Sequence, residues 1–205
     1  QMIELNKIYN MDCVQGMKLL DDCSVDLTVT SPPYDNLRTY NGNIDQWNFE
    51  KFQGIARELY RVTKQGGVVV WVVADATIKG SETGTSFRQA LYFMECGFNL
   101  HDTMIWKKQT FTDTGSLKVR YAGVFEYMFV FVKGKLKTFN PIKDRENKSV
   151  GKKKHGVIRQ VDGTTKSQSS LGKKCGKLGQ RFNVWEIITC VANSERNGHP
   201  AQYPE

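Results

Sequence analysis

Short apolar runs alternate with amphipathic stretches along the chain, and their order predicts its elements. Lys7-Ile8-Tyr9-Asn10-Met11-Asp12 reads as a short strand ending at an acid, and Val14 to Leu20 as a short helix. Val25-Asp26-Leu27-Thr28-Val29-Thr30 alternates apolar and polar side chains as a strand does. It runs into Ser31-Pro32-Pro33-Tyr34, which continues neither helix nor sheet because two prolines remove two backbone donors. A polar loop to about Asp45 follows. Phe52, Ile55, Ala56, Leu59, Tyr60 and Val62 then recur at helical spacing within Phe49 to Thr63, with Gly66-Gly67 as the expected stop. Val68 to Val73 is apolar without alternation, as expected of a central strand buried on both faces. Phe87 to Glu95 reads as a helix ended by Gly97. Leu100 to Lys107 and Phe125 to Val132 read as strands, the second rich in β-branched and aromatic residues. Strands alternating with helices predict a three-layer α/β sheet whose ligand edge is where Ser31 follows its strand.

From Lys133 to Gln180 the pattern dissolves. Lys, Gly, Ser and Thr dominate and apolar residues are too sparse to build a core. The whole chain carries 29 Lys and Arg against 21 Asp and Glu, a formal charge of +8. Between Lys133 and Arg181 the bases far outnumber Asp144, Glu146 and Asp162. A localised excess of this kind is the electrostatic footprint of a polyanion partner. The candidate contacts are Lys152, Lys153, Lys154, Arg159, Lys173, Lys174 and Lys177, with Arg38 in the loop after the Pro-Pro turn. Two readings stand for this segment: a solvated insertion, or a stretch that orders on a nucleic-acid backbone.

The remaining composition mainly excludes. No apolar stretch approaches the roughly 20 residues of a membrane helix, the longest being Gly67 to Ala74. No signal-peptide pattern opens the chain, so a soluble, cytoplasmic protein is expected. The five cysteines are odd in number and widely spaced, with no Cys-x-x-Cys pair, and the three histidines lack metal-ligand spacing. Reduced thiols and no metal are the expectation.

Thr30-Ser31-Pro32-Pro33-Tyr34 carries the most chemistry. Methylating an exocyclic amine of a nucleobase is hard because the nitrogen lone pair is delocalised into the ring. Acceptors aimed at the amine hydrogens draw the nitrogen toward tetrahedral geometry and stabilise its developing positive charge. Ser31 offers a hydroxyl oxygen and Pro32 a carbonyl, and the prolines fix both in advance. Tyr34 offers a face for a flipped-out base. A bare Ser-Pro-Pro-Tyr string also fits a plain turn. An acid-terminated segment upstream, and a helix, Gly-Gly and a buried strand downstream, favour the chemical reading.

That ordered context resembles the amino-methyltransferases that modify adenine or cytosine in DNA, in their permuted "beta" arrangement. The resemblance is carried by Asn10-Met11-Asp12-Cys13, Ser24 to Tyr34, Gly66-Gly67 before the Val-rich strand, and Gly97-Phe98 with Ile105-Trp106-Lys107. It continues through Phe125 to Lys133, Asn183-Val184-Trp185-Glu186-Ile187 and His199-Pro200-Ala201-Gln202-Tyr203-Pro204-Glu205, in the expected order over nearly the whole chain. It implies a Rossmann-like, S-adenosylmethionine-dependent methyltransferase sheet, α/β in class, partial and permuted, with an inserted basic recognition region. The implied divisions are a catalytic domain over 1–133, target recognition over 134–182 and the start of the cofactor half over 183–205. Ser31, Pro32, Pro33 and Tyr34 would be catalytic, with double-stranded DNA as the partner. The implied cofactor set is Asp12, Cys13, Ser31, His199, Pro200 and Ala201, with Asp12 near the adenosine and His199-Pro200-Ala201 bordering the methionine end. Asp12 also fits a helix cap and His199 an ordinary surface histidine.

Ser at the first motif position favours cytosine over adenine by family tendency, and the implied setting is restriction-modification. The family's Phe-x-Gly-x-Gly donor loop stands nowhere in the chain. The expectation is therefore a chain without a competent donor pocket on its own, either truncated or completed by another chain that supplies the missing half, with a homodimer or a complementing C-terminal chain as the expected partner. A non-catalytic DNA-binding remnant is the alternative. Enzymes acting on RNA or protein glutamine usually carry Asn at the Ser31 position and place the cofactor loop first, which argues against them.

Overall fold

The computed structural model describes residues 3–34, 47–109 and 117–187. The chain forms two compact units, one comprising Gln1–Thr138 and Asn183–Glu205, the other Phe139–Phe182. Along the chain the first unit carries α1 (Cys13–Met17), β1 (Val25–Thr30), α2 (Phe49–Val62) and β2 (Thr63–Val73). A two-stranded hairpin of β3 (Thr77–Ile78) and β4 (Ser81–Glu82) then leads to α3 (Thr85–Glu95), β5 (Phe98–Lys107) and β6 (Phe125–Lys133). The second unit holds β7 (Arg145–Glu146), β8 (Val157–Arg159), β9 (Thr165–Ser167) and β10 (Leu178–Gly179), after which β11 (Val184–Glu186) rejoins the first.

One five-stranded sheet, ordered β1-β2-β6-β5-β11, organises the first unit. β1 and β2 are parallel, as are β5 and β11, while β6 runs antiparallel to both β2 and β5. The reversal of β6 sets its beginning beside the end of β2, where Val73 pairs with Tyr127.

Amphipathic spacing explains α2. Asn48 caps it by accepting from the Lys51 amide at 2.8 Å. Phe52, Ile55, Ala56, Leu59 and Val62 form its buried face. It packs with Phe93 and Ala90 of α3 over Val69, Trp71, Phe129 and Phe131 of the sheet. Phe93 is the hub: it stacks on Phe131 at 4.6 Å and meets Trp71 edge-on at 5.1 Å. The buried indole of Trp71 donates to Gln89 at 2.8 Å, so the polar atoms in this core are paired. At the far end of β6 the buried Lys133 ammonium donates to the Tyr60 and Arg61 carbonyls at 2.6 and 3.4 Å. It thereby satisfies carbonyls that the helix end leaves open.

Three expectations change. The helix ends before the glycine pair, because Thr63 is already extended and its hydroxyl donates to the Leu59 carbonyl at 2.6 Å. β2 runs through both glycines, and its pairing moves from Thr63 opposite Val25 to Val68 opposite Leu27, so Lys64 to Gly67 bulges. Gly67 is needed there, since a Cβ would come within 2.9 Å of the Lys64 carbonyl and 3.0 Å of the Asp26 carbonyl.

Second, 7–12 is not a strand. Tyr9 accepts from the Glu4 amide at 2.7 Å, which folds the segment on itself, and no described strand pairs the outer edge of β1. Third, the described helices cover one face of the sheet. On the other, Val72, Trp106 and Met128 form a small cluster, while Leu27 and Val29 stand exposed beside Val68 and Val70. Two layers, rather than three, are present among the described residues.

The second unit has no buried residue. Two short antiparallel pairs, β7 with β10 and β8 with β9, give it shape. Backbone bonds add to them, among them Lys154 to the Lys173 carbonyl and Cys175 to the Lys152 carbonyl, both 2.9 Å. Among the described residues no helix is long and apolar enough to cross a membrane.

Candidate active site

β1 ends at Thr30, which pairs with Trp71 near the carboxyl end of β2, and Ser31 to Tyr34 leave the sheet at that edge. Pro32 is buried and Ser31, Pro33 and Tyr34 are half-buried. The Ser31 hydroxyl stands 3.5 Å from the Pro32 carbonyl and 3.0 Å from the Tyr34 hydroxyl. One hydroxyl carries one proton, and the shorter contact takes it. Tyr34 packs its ring against the main core and donates from its own hydroxyl to Glu126 Oε2 at 2.5 Å. The Lys108 ammonium pairs with the other carboxylate oxygen of Glu126.

Glu126 is only 7% exposed, near the start of β6 opposite Trp106. The reversed direction of β6 is what delivers it to the carboxyl edge of the parallel strands. Tyr34 reaches it across the end of β2, about 10 Å at ordinary strand spacing. Sequence reasoning missed Glu126 and Lys108. The available signal was an acid inside a run otherwise apolar and aromatic, Phe125 to Val132.

Asp12 is the N-cap of α1: its Oδ1 accepts from the Val14 and Gln15 amides at 3.0 and 3.1 Å, and its Oδ2 from Lys51. The Lys51 hydrogen bond, followed by the Gln15 amide, holds this carboxyl below the ordinary carboxylate range. The same pair raises Lys51. The neighbouring Cys13 is exposed as a residue, yet partial burial of its thiol, helped by the Asp12 charge, pushes that thiol up.

Lys152, Lys153, Lys154, Arg159, Lys173, Lys174 and Lys177 are all exposed and all belong to the second unit. Lys153 and Lys174 stand directly opposite one another in an antiparallel bridge. Within Phe139–Phe182 twelve Lys and Arg face three acids, against a whole-chain charge of +8, so the basic excess is this unit's. A cleft of about 520 Å³ in the same unit is lined by Arg145, Lys148 and Phe182 among others, with the Arg145 guanidinium 4.4 Å over the Phe182 ring. Arg38, His199, Pro200 and Ala201 lie outside the described residues.

Residues 25–205 match the N6_N4_Mtase family model, described as DNA methylase. The orphan methyltransferase M.BamHII of Bacillus amyloliquefaciens is 53% identical over 192 residues, covering 91% of this chain and 69% of the relative. The type II methyltransferase M.BglII of Bacillus subtilis is 30% identical over 209 residues, 98% of this chain and 54% of its own. Among solved structures, the PvuII DNA methyltransferase, described as cytosine-N4-specific, superposes with a TM-score of 0.63 at 17% identity. That match covers 96% of this chain and 65% of the other. The chain thus spans between about half and two thirds of these proteins' lengths.

Proposed function

Because this chain belongs to the DNA methylase family, we propose that it methylates the exocyclic amine of a flipped base in double-stranded DNA, cytosine in preference to adenine. The observation that carries this reading is the 3.5 Å separation of Ser31 Oγ and the Pro32 carbonyl, two acceptors close enough to engage one amine. Both prolines lack N–H groups, so neither of them competes for those acceptors. Drawing the amine hydrogens toward them localises the nitrogen lone pair and stabilises the positive charge that develops as the nitrogen bonds to carbon. Tyr34 supplies an aromatic surface beside the base.

S-adenosylmethionine, the donor of this family, brings a methyl group on a positively charged sulfonium. The residues present fit it: the turn is rich in acceptors and poor in donors, and Asp12 Oδ2 keeps a lone pair beyond its bond to Lys51. Asp12, Cys13 and Ser31 would hold the donor from this chain's described side, with His199, Pro200 and Ala201 assigned to the same role. Residues 134–182 are the proposed recognition region, its lysines neutralising phosphates. The names of the relatives support a place in DNA modification of the restriction-modification type, and hence a cytoplasmic one.

A second reading, DNA binding without catalysis, draws on the concentration of charge in a unit that lacks a core. Expressing the gene that carries this chain in a methylation-free host, followed by mass spectrometry of nucleosides, tests both. N4-methyldeoxycytidine that disappears with Ser31→Ala is expected. N6-methyldeoxyadenosine instead would overturn the cytosine choice, and methyl groups confined to RNA or protein would overturn the DNA reading. No methylation, with salt-sensitive duplex binding intact, would favour the second reading.

A further inference from the structure

We propose that Glu126 is a positioning residue that sets the direction of a hydroxyl chain, so that Ser31 meets the base with lone pairs only. This rests on the reading of Ser31 as an acceptor for the target amine and extends it to a residue 92 positions from Tyr34. A hydroxyl at an active site is ambiguous, since it can donate or accept. An exocyclic amine needs an acceptor, whereas the carbonyl that replaces it in a deaminated base needs a donor. Something must therefore fix the Ser31 proton away from the base.

The geometry supplies a fixed sequence of bonds. Glu126 is buried and its Oε1 is taken by Lys108, so its Oε2 can only accept. Tyr34 must donate to it, at 2.5 Å, which leaves the phenolic oxygen as an acceptor. Ser31 then donates to Tyr34 at 3.0 Å, and its remaining lone pairs point to whatever occupies the turn. Reversing the chain would leave two hydrogens facing each other or a buried carboxylate without its donor, both costly where water is excluded. The order is amine N–H to Ser31, Ser31 to Tyr34, Tyr34 to Glu126. No proton needs to travel for this to operate; the carboxylate acts through Tyr34 and never touches the base.

The consequence is discrimination between amine and carbonyl. The test titrates the chain with deoxycytidine and deoxyuridine, and separately with deoxyadenosine and deoxyinosine, following ligand NMR signals, and reads the affinity ratio within each pair. The wild type should favour the amine-bearing member of one pair by about tenfold, the scale of one hydrogen bond gained against one misplaced. Glu126→Gln, whose amide can turn a donor toward Tyr34, should bring the ratio to within about twofold of unity. Tyr34→Phe should do the same while leaving the Glu126–Lys108 pair intact, and so guards against a simple folding defect. Ser31→Asp added to Glu126→Gln should restore the preference, because a carboxylate accepts whatever lies behind it.

A ratio unchanged in both Glu126→Gln and Tyr34→Phe, but lost in Ser31→Ala, overturns the directional role and leaves Ser31 as the amine acceptor. A ratio that survives Ser31→Ala, or a wild type with no preference or no binding, overturns the underlying reading as well.

Discussion

The two units are ordered by different forces. In the first, Phe52, Phe93 and Phe131 are fully buried and Trp71 nearly so, in a connected aromatic cluster. In the second, no residue is buried, and shape comes from backbone hydrogen bonds, ion pairs such as Arg181–Asp144, and one cation–π pair. The first is built around a packed core that holds its strands and helices in place. The second is built around charge: with Lys153 facing Lys174, its own electrostatics oppose the fold, since like charges directly opposite are destabilising. A polyanion laid across them would relieve that opposition.

Core truncation should break this contrast most sharply, if it can be broken. Phe93→Ala removes the hub of the cluster and should cost about 3–5 kcal/mol in denaturant unfolding. Val161→Ala in the second unit, where Val161 is fully exposed, should fall within about 0.5 kcal/mol of wild type. Equal costs would mean that the second unit has a hidden core. Next in size is the salt response. Replacing Lys152, Lys153 and Lys154 by Ala should weaken duplex binding at every sequence alike, lowering the slope of log affinity against log salt by about 0.9 for each phosphate no longer neutralised. An unchanged slope would remove these lysines from the interface.

Asp12→Asn at the head of α1 tests an electrostatic feature inside the apolar unit. Asn still caps, so the loss should be small, under about 1 kcal/mol. The pH dependence is more telling. Lys51 depresses the folded-state Asp12, so its contribution is present above the ordinary carboxylate range and fades as pH falls through the lowered folded value. Asp12→Asn should therefore flatten the acid limb of the stability curve, its small loss being felt at neutral pH and vanishing at acid pH, where the wild type has already lost the contribution. The smallest effect concerns Cys13, whose thiol is raised by partial burial and by Asp12. Its alkylation near pH 8 should be slower than that of a free thiol, and faster once Asp12 is neutralised.

The periodic elements were legible: β1 and its Pro-Pro stop, α2, the apolar part of β2, α3, β5 and β6 all follow from spacing and punctuation. What spacing could not give was pairing. The extension of β2 back to Thr63 depends on a bulge opposite β1, a pairing between segments about 40 residues apart. Likewise, Asp12 announced itself as an acid before a helix, and its capping bonds agree with that reading. Glu126 was hidden, since an acid in an apolar strand acquires meaning only when the topology brings Tyr34 to it.

Antiparallel β6 has a consequence for how such a site can vary. The parallel strands contribute to the carboxyl edge through the loops that follow them, and loops change length readily. Glu126 instead stands inside the ladder, paired with Trp106, at a point fixed by register. A change of length between Lys108 and Phe125 would leave the carboxylate at that register. The proposed amine reader is thus held by the sheet rather than by a loop, and loop variation leaves it in place.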